Sequence, residues 1–136
     1  MKRYIKAEFD MNSVGAFDTS PDTRRKFASI TEDPELLAVY AFDPDYWVRS
    51  NVLENPYITS EILDSMAEDY DTVIRSRVAE HPQTSPDTLL KLADDLSSNV
   101  RGEVASNPNT PKSALLALLE DSAEWIRTIT KNRLGL

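Results

Sequence analysis

Residues 78–95 read VAEHPQTSPDTLLKLADD and residues 104–121 read VASNPNTPKSALLALLED, two near-copies set 26 residues apart. The register extends in both directions. Asp43, Asp69, Asp95 and Asp121 share one column, and Arg49, Arg75, Arg101 and Arg127 share another. Val48, Ile74, Val100 and Ile126 precede the arginines, and Val52, Val78 and Val104 follow them by three. Pro56, Pro82 and Pro108 come next, then Leu63, Leu89 and Leu115, then Met66, Leu92 and Leu118. A fixed period of this size marks one structural unit stacked on copies of itself. Upstream, FASITEDPELLAVYAFDPDYWVR (27–49) is a degenerate copy that aligns after one deletion near Asp33–Pro34.

Each copy reads as two helices with a punctuated bend. Val100, Val104 and Ala105 lie on one side of a short helix, which Asn107-Pro108 stops, because proline disfavours a helical residue before it and donates no backbone bond. Thr110 then reads as an N-cap and Pro111 as a first helical residue, with Leu115, Leu118 and Leu119 on the following stripe. Ser85-Pro86 repeats that start, and Thr59 or Ser60 caps the copy before. This reading predicts a first helix of about two turns and a second of about three. Helices this short are marginal alone, so their apolar stripes must be buried by stacking. A β-type leucine-rich repeat needs an LxLxxN strand, and none is present.

The charged columns have two readings. A row of arginines could grip phosphate, yet a carboxylate keeps fixed register with every arginine, six residues before it. Such pairing predicts a structural ladder, each arginine reaching acceptors on Asp residues of its own and the adjacent unit.

VRGEVASNPNTPKSALLALLED (100–121) and its copies resemble the leucine-rich repeat variant family, whose units run roughly VRxxVAxNPxTPxxxLxxLAxD. The resemblance covers about residues 27–130. It implies a right-handed α-solenoid, HEAT-like in style, of alternating α and short 3₁₀-like helices. The unit here is longer than the family's usual one, which implies longer linkers. A member of that family carries an iron–sulfur cluster on N-terminal cysteines, whereas this chain has no cysteine, so that property does not transfer.

The expected fold is therefore all-α: a right-handed solenoid of about four 26-residue two-helix repeats with a short extended N-terminal segment. Residues 1–22 form that segment, in which RYIKAEF (3–9) alternates like a strand. A divergent repeat at 23–48 follows, then repeats at 49–74, 75–100 and 101–126, and a half repeat at 127–136. Divergent ends suit stacked repeats, since a terminal unit must face water.

Composition limits the function. The 136 residues carry a net charge of −8, spread unevenly. Residues 1–26 hold six Lys/Arg against four acids, whereas residues 27–136 hold nine against nineteen. An acidic body opposes binding to a phosphate backbone. The only cations after residue 26 outside the ladder are Arg77, Lys91, Lys112, Lys131 and Arg133, too scattered for the basic groove of a HEAT-like nucleic-acid enzyme. The absence of cysteine fits a reducing cytoplasm, and no apolar run suggests a membrane span or signal peptide.

Catalytic candidates are few. His81, the only histidine, occupies the column of Asn55 and Asn107 and reads as a turn residue. With no cysteine and one histidine, a nucleophile–base pair has little to draw on. Asp43/Asp45 and Glu68/Asp69/Asp71 do not follow the EF-hand spacing, so no metal is expected. No cofactor is expected either, since the three glycines, at 15, 102 and 135, cannot form a phosphate loop.

What remains is surface. Tyr46, Tyr57 and Tyr70 sit at columns that are mostly polar elsewhere and, with Trp47, crowd the first full unit, a candidate partner-binding patch, unless they pack under the N-terminal segment. Glu68, Asp94 and Glu120 form an acidic column that Glu54 and Glu80 reinforce. The expectation is a non-enzymatic interaction module that binds another protein. The alternative is an acidic inhibitor, of the kind a phage or mobile element encodes, that mimics nucleic acid at a basic enzyme site.

Overall fold

The computed structural model describes residues 19–136. Among them are nine helices and no strands. They are α1 (Pro21–Ile30), α2 (Pro34–Tyr40), α3 (Tyr46–Val52), α4 (Ser60–Met66), α5 (Thr72–Glu80), α6 (Pro86–Leu92), α7 (Ser98–Ser106), α8 (Lys112–Leu118) and α9 (Glu124–Leu134). The strand-like reading of residues 3–9 lies outside the described residues, and the expected boundary at 22/23 falls inside α1.

Local chemistry sets the helix starts. Ser20, Asp33, Asp45, Asp71 and Ser85 each cap a helix by accepting a backbone N–H of its first turn, and Thr59 caps α4 through the Ile62 N–H. Pro21, Pro34 and Pro86 occupy the first helical position, where the missing N–H costs nothing. Thr110 is different from its expected role. Its hydroxyl is buried and donates to the Val104 carbonyl at 2.6 Å, as Thr84 does to Val78. These threonines close the end of the first helix, and α8 begins at Lys112 with no side-chain cap.

The expected helix lengths are also corrected. The second helices α4, α6 and α8 are α-helices of seven residues, about two turns, whereas α5 and α7 have nine and α9 has eleven. Each second helix ends in a tight turn just before the Asp column, with Asp69, Asp95 and Asp121 donating their N–H groups to Met66, Leu92 and Leu118. That turn takes residues that sequence periodicity assigns to a helix.

The chain divides into two compact units, residues 1–62 and 63–136. In the first, α1 and α2 both pack on α3, and Ala28, Leu36, Leu37, Tyr40, Val48 and Val52 are fully buried. In the second, α7 lies between α5 and α9, while α6 packs on α7 and α8. Its core is the repeated stripe of Ile74, Val78, Leu89, Val100, Val104, Leu115, Leu118 and Ile126. Ala114 joins the stripe in place of Leu119, which is only half-buried.

Candidate functional site

The arginine and aspartate columns are joined by two kinds of bond. Within a copy, the arginine donates back to the carbonyl of the aspartate six residues earlier: Arg49 to Asp43, Arg75 to Asp69, Arg101 to Asp95 and Arg127 to Asp121, at 2.7–2.9 Å. Between copies, Arg75 forks onto the Asp95 carboxylate at 2.8 and 3.1 Å, and Arg101 onto Asp121 at 2.7 and 3.2 Å. The same carboxylates accept the N–H two residues on, from Ser97 and Ala123. Asp95 and Asp121 therefore each shape their own turn and receive the preceding arginine.

The electrostatics follow from that geometry. The Arg101 guanidinium holds Asp121 below the ordinary carboxylate range, with help from the Ala123 N–H and against partial burial. Burial pushes Asp95 upward, but Arg75, the Ser97 N–H and the charge of Arg101 together carry it below its ordinary value. Bidentate pairs with both partners partly desolvated are the stronger class of ion pair.

The first unit contains a rung that the column alignment omits. Arg24, buried, forks onto Asp43 at 2.8 and 3.2 Å and also bonds the Thr19 carbonyl. The signal was present, because the deletion near Asp33–Pro34 moves the arginine column of the divergent copy onto residue 24. Beside it, Arg25 pairs with Asp45. Asp43 and Asp45 thus face guanidinium groups, and among the described residues no cluster of His, Asp and Glu could hold a metal ion.

A second column ties each bend to the helix before it. The Asn55 amide donates to the Ala28 and Thr31 carbonyls, and Asn107 donates to Ala79 and His81. Their amide oxygens accept the N–H two residues on. His81 copies half of this role, its Nδ1 accepting from the Gln83 N–H. Arg133 copies the other half, donating to the Ala105 and Asn107 carbonyls. That guanidinium is committed to the fold, whereas its place outside the arginine column in sequence marks it as a spare cation.

The expected surface residues are divided between the units. In the first, Trp47 and Tyr57 are exposed and Tyr46 is half-buried, its ring edge-on to Trp47 with centroids 5.1 Å apart. In the second, Tyr70 is 80% exposed. Glu54 is exposed in the first unit, and Glu68, Glu80, Asp94 and Glu120 are exposed in the second. Within the second unit, Asp94 and Glu120 line one groove.

Two grooves in the second unit were not anticipated. One, of about 490 Å³, runs between successive copies and is lined by Leu90, Ala93, Leu96 and Ala117, with Asp94, Glu120 and the Arg101–Asp121 pair among its charged residues. Leu96 is 98% exposed there, and Leu90 and Leu116, which share a column, are also exposed. The other, of about 270 Å³, lies along α5 and α7 and is bounded by Trp125 of α9. Trp47, Val73, Asn99 and Trp125 share a column that is apolar and exposed in three of its four copies, but only side-chain packing makes the groove. Among the described residues, no helix is long and apolar enough to cross a membrane. No protein-family model, characterised protein or solved structure matches the chain, so these comparisons lend the expected resemblance to the leucine-rich repeat variant family no support.

Proposed function

We propose that this chain is a non-catalytic α-solenoid that binds another protein through the columns its repeat leaves at solvent. The observation that supports the reading is the groove lined by Leu90, Leu96 and Ala117, with Asp94 and Glu120 among its charged residues. Large apolar side chains held open on a repeat scaffold, beside acidic ones, suit an amphipathic segment with basic flanks. The partly buried charges contribute to the scaffold, through Arg75–Asp95 and Arg101–Asp121. A second reading, the acidic mimic of nucleic acid, draws on the exposure of Glu54, Glu68, Glu80, Asp94 and Glu120.

A photo-crosslinking amino acid at position 96, with position 87 as the control, tests the reading in lysate of the source cells. We expect one protein adduct at 96 and none at 87, reproduced with the purified pair and lost in Leu90→Ser. Its survival at about 0.5 M salt, where the screening length is only a few ångströms, favours the apolar groove. Steep loss with salt favours the acidic mimic, and equal adducts at both positions contradict both.

A further inference from the structure

The groove along α5 and α7 contains an acid that the fold leaves uncompensated. Glu103 lines it half-buried, together with Val73, Ser76, Arg77, Gly102 and Trp125. Among the described residues its carboxylate makes no hydrogen bond and no ion pair, although other partly buried acids here, such as Asp95 and Asp121, are paired. Burial pushes Glu103 above its ordinary range, and the neighbouring charge acting on it is a second carboxylate, Glu80, which pushes the same way. A partly desolvated anion beside a like charge is costly unless something neutralises it.

The ring at the groove's edge is held by a fitted contact. A Cβ on Gly102 would lie 2.3 Å from Trp125 Cη2, so the outer edge of the indole packs against the bare backbone of α7. The equivalent pair one copy earlier is Ser76 and Asn99. Glycine and tryptophan thus replace serine and asparagine together, at adjoining positions. The ring stays 48% exposed, and its indole N–H has no partner among the described residues.

We propose that this groove seats an arginine side chain from an extended, basic segment of a partner protein. The guanidinium lies against the Trp125 ring, and its N–H fork faces Glu103, with Glu80 adding to the field. A planar, weakly hydrated cation suits an aromatic wall and a carboxylate better than a compact ammonium or a hydrated metal ion does. The proposal rests on the reading of the chain as a protein-binding module and assigns the chemistry of one part of its partner.

The test uses the full chain and two peptides, Ac-Gly-Arg-Gly-NH2 and its neutral citrulline analogue. Binding is followed by NMR at the Trp125 indole N–H and the Gly102 amide. We expect saturable shifts with the arginine peptide, weakened about tenfold or more by citrulline and by Glu103→Gln. Glu103→Gln keeps the side-chain shape and relieves a charge repulsion, so it should stay folded; the amide spectrum verifies this. Equal shifts with citrulline, unchanged binding in Glu103→Gln, or shifts spread evenly over Glu68, Asp94 and Glu120 overturn the proposal. An intact adduct at position 96 beside such a result removes this inference and leaves the binding-module reading standing.

Discussion

Replacing Asn107 by alanine deletes the donor that serves the carbonyls of Ala79 and His81 and the acceptor that fixes the Asn109 N–H. The Asn107 side chain is buried, as is its bond to the Ala79 carbonyl, so water does not readily replace it there. Leaving such groups unsatisfied costs about 1–3 kcal/mol each, and we expect Asn107→Ala to lower the unfolding free energy by roughly 2–4 kcal/mol in urea titration. A loss under about 0.5 kcal/mol, the usual size for a surface change, contradicts this role. The asparagine column is legible from its fixed place before the repeat proline. Its substitutes are not: His81 and Arg133 share with asparagine only the reach of one polar atom, and composition classes them as a titratable group and a spare charge.

Between helices, the apolar stripes carry the packing, and these were the most readable feature. Leu89 and Leu92 of α6 are buried, whereas Gln83 in the preceding bend is exposed. Leu89→Ala should cost about 2–5 kcal/mol as a cavity in a close-packed core, and Gln83→Ala should stay within about 0.5 kcal/mol. Equal effects in thermal or urea unfolding contradict the assigned register. Helix ends were read less well. Periodicity continues through the tight turns at Asp69, Asp95 and Asp121, so it lengthens the second helices. Thr110 has the sequence of a cap, yet its hydroxyl turns to the helix behind it, since the Val104 carbonyl is the buried acceptor within reach.

At the level of the repeat, the acidic side chains have two roles. Some are consumed by the fold, in arginine–aspartate pairs that repeat with the chain. Others stay at the surface, where Glu103, Asp94 and Glu120 face open grooves. The pairing partners were legible because period and spacing recur; the grooves were not. They depend on which side chains leave space, and on one local exchange, glycine with tryptophan at Gly102 and Trp125. The aromatics of the first full unit stand out in sequence, and Tyr46 and Trp47 pack edge-on against each other.

Whether the arginine row is structural is tested most directly at the Arg101–Asp121 rung. The side chains are 15% and 4% exposed, and the pair is bidentate. A double-mutant cycle, Arg101→Ala with Asp121→Ala, measures the coupling by urea unfolding as a function of pH. Because Asp121 is held below its ordinary range, its contribution is fully present above the unfolded value of about 4 and is lost as pH falls through the lower folded value. We predict coupling of about 1 kcal/mol or more at neutral pH, above the usual range for exposed pairs, fading at strongly acidic pH. Coupling near zero at neutral pH, with Arg101→Ala leaving stability unchanged, would contradict the account and return the arginine row to consideration as a binding surface.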